Sequence, residues 1–133
     1  MSSVENVAVE SVDLVSETHR LIHAPSVKLT HEPVSAEQSI AGDPSTATTR
    51  LGEIFGAEFG LWEMSAGTMT DIEAEELFVV LSGTATVLIH EASGFAASEL
   101  HLKPGSICQL SEGMHTTWVL DEPLRKIYLV AAD

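Results

Sequence analysis

Short apolar segments alternate with turn-forming residues from about Thr49 to the end of the chain. A spacing of roughly 8 to 12 residues between turn signals is typical of a β-sandwich or β-barrel. Gly83, Gly94 and the pair Pro104-Gly105 supply the backbone freedom that tight turns need. The pattern predicts six or seven strands, drawn from these segments: 49–55, 58–63, 75–81, 84–90, 99–102, 106–110, 116–120 and 124–130. We therefore expect an all-β domain.

The first 37 residues carry mixed signals, so we divide the chain into an N-terminal arm, 1–37, and a barrel domain, 38–133. Apolar residues in 11–23 recur at the spacing of a short amphipathic helix. Pro25 and Pro33 instead favour an extended backbone in the residues before them. The arm is therefore predicted to be extended or partly helical, and such arms often pack on a partner subunit.

The chain is strongly acidic, with six Lys and Arg against 20 Asp and Glu and a formal charge of −14. The electrostatic field of such an acidic chain repels phosphate backbones and anionic lipid headgroups, so neither nucleic acid nor membrane is an expected partner. The longest apolar run, 77–81, is far shorter than the ~20 residues that span a bilayer. A lone cysteine, Cys108, and a start without signal-peptide features predict a cytoplasmic protein.

An acidic cluster runs directly into an apolar strand in 67–83, GTMTDIEAEELFVVLSG. The stretch resembles the first cupin motif, G-x5-H-x-H-x3or4-E-x6-G, because Glu76 is followed by six residues and then Gly83. The second motif, G-x5-P-x-G-x2-H, is matched by Gly105 and Gly113, with serine in place of the usual proline. The resemblance implies a single-domain cupin jelly-roll β-barrel.

The metal-binding histidines of the cupin motifs are missing. The two histidine positions of the first motif fall on Met69 and Asp71, or on Thr70 and Ile72 with the shorter spacer, and the second motif has Thr116. The resemblance therefore implies no metal cofactor, with a divalent ion as a weaker alternative. Carboxylate oxygens such as those of Asp71 suit Mg, Mn or Ca.

A narrower resemblance links residues 40–130 to small cupins of the ethanolamine-utilisation and ureidoglycine aminohydrolase-like group. Its matching segments are GDPS at 42–45, LWEMSAGT at 61–68, EELFVVLSG at 75–83, LKPG at 102–105, GMHTTW at 113–118 and EPLRKIY at 122–128. Members of this group commonly lack the metal histidines, and most have no assigned reaction. The resemblance also implies a homodimer.

Glu76 is the first candidate for catalysis, because strand alternation that points it into the barrel also points Phe78 and Val80 inward. A carboxylate in an apolar cavity can serve as an acid or base. Asp71 is the second candidate, because it occupies a cupin ligand position. Tyr128, on the last strand, either donates a hydrogen bond to a substrate carbonyl or buries its ring.

For the remaining charged residues near these positions, a structural role is expected or is an alternative to a functional one. Glu73 and Glu75 are expected in a solvated loop, as for most charge runs before a strand. Arg125 and Lys126 either anchor a substrate carboxylate or form ion pairs with surface acids. These alternatives stay open at the level of sequence.

Substrate-binding residues are predicted on the strand after Gly113 and on the motif around Trp62. Thr116 and Trp118 should point inward together, whereas His115 faces outward unless the turn contains a bulge. An inward His115 would join Glu76 and Asp71 in a weak, oxygen-rich metal site. Trp62, Trp118 and Phe78 would form the walls that contact a ligand, or simply fill the core.

Two functions fit these features. The first is an acid-base enzyme of the isomerase, hydrolase or lyase type, acting on a small polar metabolite without metal. The second is a non-catalytic cupin that binds a ligand or serves an accessory role.

Overall fold

Antiparallel strands form almost all of the regular secondary structure of the described residues, as the turn spacing predicts. The computed structural model describes residues 12–13 and 21–132. The strands are β1 (Val12–Asp13), β2 (Leu21–Ile22), β3 (Glu32–Pro33), β4 (Ser39–Ala41), β5 (Ser45–Ile54), β6 (Ala57–Met64), β7 (Gly67–Ile72), β8 (Glu76–Ser82), β9 (Ala85–Ile89), β10 (Ser98–Leu102), β11 (Ile107–Leu110), β12 (His115–Leu120) and β13 (Leu124–Ala131). A 3-10 turn lies at Ala24–Ser26. No helix of the described residues is long and apolar enough to cross a membrane.

The strands form two main sheets and one small pair. The five-stranded sheet has the order β10-β9-β12-β7-β4, and the six-stranded sheet has the order β11-β8-β13-β6-β5-β3. The third sheet joins β1 to β2. Consecutive strands such as β7 and β8 lie in different sheets, which is the crossing pattern of a double-sheet barrel.

The hydrophobic core lies between the two large sheets and combines side chains of both. Phe78 and Val80 of β8 are buried in it, with exposures of 0% and 1%, as the alternation around Glu76 predicts. Leu77 faces the other way and is 38% exposed. The buried members of this core are Met64, Met69, Phe78, Val80, Ala85, Val87, Ile89, Leu102, Leu110, Trp118, Leu120, Leu124 and Tyr128.

Strand β7 was missed by the sequence prediction, in which no strand covers residues 67–72. Its inward side chains include Met69, which is 4% exposed, and Asp71, which lines a cavity. A strand with a carboxylate on its inner face lacks the apolar alternation on which the prediction depends. This strand brings Asp71 into the barrel.

Residues 22–29 pack on the outer face of the chain's own six-stranded sheet. Val27 is 1% exposed there and belongs to a second apolar cluster with Leu51 and Leu61. Arg125 donates a hydrogen bond of 2.8 Å to the carbonyl oxygen of Ala24. Burial of this segment against its own sheet gives the arm a role in the fold of the single chain.

The helix predicted for 11–23 is not found where the structure describes this stretch. Val12–Asp13 and Leu21–Ile22 are paired strands, and the residues between them lie outside the described part of the chain. Pro33 belongs to β3, which pairs with β5 of the barrel. The domain boundary at residue 38 stays a prediction.

Gly60 of β6 makes room for the side chain that pairs with it on β13. A Cβ atom at this position would lie 2.2 Å from the backbone oxygen of Thr49 and 2.6 Å from the Tyr128 hydroxyl. Neither distance is possible without displacement of the neighbouring atoms. The absence of a side chain at residue 60 therefore positions Tyr128 inside the barrel.

Candidate functional site

A cavity of about 260 Å³, which we call the inner cavity, lies between the two sheets. Strands of both sheets contribute side chains to it, and the turn between β7 and β8 contributes Glu73. Pockets for drug-sized ligands have volumes of ~300–1,000 Å³, so the inner cavity suits a smaller molecule. Its lining residues are Thr48, Glu58, Trp62, Asp71, Glu73, Glu76, Trp118, Lys126, Tyr128 and Val130.

Lys126 is the cation of the inner cavity and is almost completely buried, with an exposure of 4%. Its Nζ lies 2.8 Å from Oε2 of Glu76. The same atom lies 4.2 Å from the centroid of the Phe78 ring, 4.5 Å from that of Trp62 and 4.8 Å from that of Trp118. Ring faces at these distances attract an ammonium group. The ion pair and the three rings together fix the position of the charge.

Glu73 is buried, with an exposure of 6%, so the prediction of a solvated loop is wrong for this residue. Its Oε2 accepts a hydrogen bond of 2.6 Å from the Thr116 hydroxyl and one of 3.0 Å from the Trp118 indole N–H. Its backbone also bonds Gly113 and Met114 in the turn before β12. These bonds offset the cost of burying a carboxylate. Glu75, in contrast, is exposed as expected.

Tyr128 lines the inner cavity and donates its hydroxyl proton to Glu58 Oε2 over 2.9 Å. Burial raises the pKa of Tyr128 well above its ordinary value of 10.0, and the bond to Glu58 adds to the shift. The hydroxyl is therefore a neutral group whose proton is already engaged. It can accept a hydrogen bond from a ligand while it donates to Glu58.

Asp71 lies opposite Thr116 in the pairing of β7 with β12. Its Oδ1 accepts hydrogen bonds from the Ile72 backbone N–H at 2.9 Å and from Gln38 Nε2 at 3.4 Å. No hydrogen bond from the described residues reaches Oδ2. Burial raises the pKa of Asp71 from 3.8 to about 6, and the nearby Glu73 carboxylate adds to the shift. Asp71 thus has one carboxylate oxygen, Oδ2, that is available to a ligand, and a pKa close to neutral pH.

Asp71 also lines a second cavity of about 430 Å³, which we call the outer cavity. His115 lines the outer cavity and not the inner one, in agreement with the outward orientation that alternation predicts. Glu76 lines the inner cavity and not the outer one. The structure therefore does not bring His115, Glu76 and Asp71 to one point. The lining residues of the outer cavity are Gln38, Thr70, Asp71, Ile72, His90, His115 and Thr116.

The burial of β7 bears on which residues occupy the cupin metal positions. Met69 is buried and Asp71 lines the inner cavity, whereas Ile72 is 63% exposed, so the structure favours the longer spacer in the first motif. The four positions are thus Met69, Asp71, Glu76 and Thr116. A thioether and a hydroxyl are poor ligands for divalent ions that prefer oxygen anions or imidazole. Across residues 12–13 and 21–132, no three or more His, Cys, Asp or Glu side chains are arranged to hold a metal. The side chains at these four positions are therefore a poor ligand set for a divalent ion.

Several solved structures have a similar fold. The EutQ protein of Clostridium difficile is 18% identical, with a TM-score of 0.63 over 86% of this chain and 87% of that one. A putative ethanolamine utilization protein Q of Salmonella typhimurium is 14% identical, with a TM-score of 0.65 over 93% and 94%. A Pseudomonas syringae protein of the DUF861 family, of unknown function, is 19% identical, with a TM-score of 0.64 over 84% of this chain and 47% of that one.

Comparison with family models identifies the family of the chain from its sequence. Residues 51–128 match the family model of the EutQ-like cupin domain, and the chain belongs to that family. A search of curated proteins finds no significant match. The cupin resemblance read from the two motifs is confirmed, as is the narrower one to ethanolamine-utilisation cupins.

The sequence analysis did not place two residues in the inner cavity: it assigned Glu73 to a solvated loop, and it left the role of Lys126 open. Glu73 looked like one member of a charge run, and its burial depends on donors that lie 43 and 45 residues away. Lys126 could have been placed by alternation from Tyr128, because residues 126 and 128 face the same side of β13. Arg125, its neighbour, faces outward and pairs with Glu63 at 2.9 Å, so it does not anchor a ligand in the inner cavity.

Proposed function

We propose that this chain binds a small polar metabolite in the inner cavity and catalyses a proton transfer on it, with Asp71 as the acid or base. The observation that carries the proposal is the state of Asp71. Its pKa of about 6 lies near the pH at which a catalytic group is most effective in both directions. Its Oδ2 takes no hydrogen bond from the described residues and is left for a ligand.

The other carboxylates of the inner cavity are each engaged by a protein group, so we assign them to holding neighbouring side chains in position. Glu76 is paired with Lys126, Glu73 accepts from Thr116 and Trp118, and Glu58 accepts from Tyr128. Glu76, the residue favoured by the sequence, thus has a fixed cationic partner. We assign it to holding Lys126, and we assign Tyr128 to accepting a hydrogen bond from the ligand.

The charge of the inner cavity selects the class of ligand. Four carboxylates, of Glu58, Asp71, Glu73 and Glu76, line it against the one ammonium of Lys126. An anionic ligand would meet net repulsion, whereas an uncharged or cationic one would not. The partly exposed ring of Trp62 adds a face on which an amine can rest. Small amines, amino alcohols, amides and polyols are the classes that fit.

A thermal-shift screen tests the binding step. The panel contains those four classes together with carboxylates and phosphates of similar size. Ethanolamine belongs in it, because one of the similar structures is a putative ethanolamine utilization protein. A ligand at ~100 times its dissociation constant stabilises the folded state by about 2.7 kcal/mol, which is a readily measured shift. Stabilisation only by the anionic members would contradict the proposal.

Turnover of the identified ligand then tests the proton transfer. Asp71→Asn should abolish turnover and leave binding within a few-fold of the native protein. The matched control is Glu75→Gln, which removes one carboxylate from an exposed site four residues away.

A binding role without catalysis is the second candidate function. The engagement of Glu58, Glu73 and Glu76 with protein partners favours it, because these bonds make the cavity wall rigid. Tight binding of a ligand that the native protein leaves chemically unchanged would support this role in place of the first.

A further inference from the structure

The inner cavity holds its own cation, the Lys126 ammonium, beside a residue at a ligand position of the cupin motif. Of the residues at the four cupin ligand positions, Asp71 and Glu76 line the inner cavity, whereas Thr116 lines the outer one. Glu76 has its carboxylate oxygen 2.8 Å from the Lys126 ammonium. We propose that Lys126 is a built-in substitute for the metal, which neutralises Glu76 and prevents a divalent ion from binding.

The first step of this inference concerns charge. Asp71, Glu73 and Glu76 line one cavity of the protein. Carboxylate oxygens are the ligands that Mg²⁺, Mn²⁺ and Ca²⁺ prefer, although among the described residues these three are not arranged to hold such an ion as they stand. Such a cluster in a barrel interior requires a positive charge to be stable, and Lys126 supplies it from within the chain. A metal ion would have to compete for these carboxylates with the Lys126 ammonium, which is part of the chain and cannot diffuse away.

The second step concerns position. Lys126 pairs with Trp62 on β6 and with Val80 on β8, so the strands on both sides hold its backbone. Its ammonium lies within 4.2–4.8 Å of the centroids of three aromatic rings. The side chain is therefore enclosed, and an entering ion cannot displace it by a simple rotation into solvent.

The test is a calorimetric titration of Mn²⁺ into chelator-treated protein, with Lys126→Met as the variant. Methionine keeps much of the buried stem and removes the charge. We expect the native protein to show no stoichiometric binding, and the variant to bind one equivalent at least 10-fold more tightly than the native protein. The double variant Lys126→Met with Glu76→Gln should lose this gain. Lys103→Met, which removes an exposed lysine, is the control and should bind as the native protein does.

Loss of the ammonium can unfold the chain, so circular dichroism must first show that each variant is folded. Lys126→Gln is the second variant, because its amide can still donate a hydrogen bond to Glu76 and leaves no bare carboxylate. The inference is overturned by stoichiometric Mn²⁺ binding to the native protein, or by a folded Lys126 variant that binds no more tightly. The readout is metal binding alone, so it is independent of whether the proposed proton transfer is correct.

Discussion

Asp71 illustrates how the surroundings of a carboxylate change its pKa. Burial removes water that would stabilise its charge, and the Glu73 carboxylate adds repulsion. The Ile72 N–H and the Lys126 ammonium act in the opposite direction. The balance brings the pKa of Asp71 to about 6. The same carboxylate on an exposed strand would remain ionised down to its ordinary range.

The raised pKa makes a prediction for stability. The folded chain holds a proton on Asp71 up to about pH 6, whereas the unfolded chain releases it near 3.8. The folded state therefore binds more protons in this window, and the contribution of Asp71 to stability falls as the pH rises through it. Asp71→Asn removes this term and should be more stable than the native protein at pH 7, by about 1 kcal/mol after allowance for partial exposure.

Melting temperatures of both proteins at pH 4.5 and pH 7.5 measure the effect. The difference between native protein and Asp71→Asn should be small at the lower pH and favour the variant at the higher one. Glu75→Gln is the control for loss of one charge. An equal difference at both values would contradict the role of burial.

At the level of elements, the sequence predicts strands well where apolar residues alternate and poorly where polar groups face inward. Strands β8, β9 and β13 agree with prediction to within one or two residues at each end. Strand β7 was missed because Asp71 interrupts its apolar face. The candidate site depends on this strand, because β7 brings Asp71 into the barrel, so the pattern failed at the residue that we propose as the acid or base. Long-range partners, such as those of Glu73, have no local signature in the sequence.

Glu73 joins the turn before β8 to strand β12, and this connection can be tested. Glu73→Ala leaves the Trp118 indole N–H without its buried acceptor, and it leaves the Thr116 hydroxyl with only the Asp71 carbonyl oxygen at 3.5 Å. Groups left unsatisfied in this way cost about 1–3 kcal/mol each, so we expect a loss of about 2 kcal/mol once the relief of carboxylate repulsion is included. Urea unfolding followed by tryptophan fluorescence gives the value. Glu75→Ala should change it by less than about 0.5 kcal/mol, and equal losses in both variants would contradict the connection.

At the level of the whole molecule, we propose a homodimer. Strand β11 is an edge of the six-stranded sheet, and its Ile107, which pairs with Val79 of β8, is 72% exposed. Leu77 of β8, two residues from Val79, is 38% exposed. Exposed apolar residues on an edge strand favour pairing with another chain. Ile107→Lys should convert a particle of twice 14.2 kDa into one of 14.2 kDa in light scattering. Phe55→Lys changes an exposed residue in a turn and should leave the dimer intact, and a native monomer at micromolar concentration would contradict the proposal.

The proton affinity of Asp71 is the centre of the proposed function, and it can be measured without knowing the ligand. Protein labelled with carbon-13 at the aspartate carboxyl groups is titrated by NMR, and comparison with Asp71→Asn assigns the signal. We expect a midpoint at a pH of about 6. A midpoint near 3.8, the ordinary value for an aspartate, would show that Asp71 is a permanently charged group at neutral pH and would contradict its role as the acid or base.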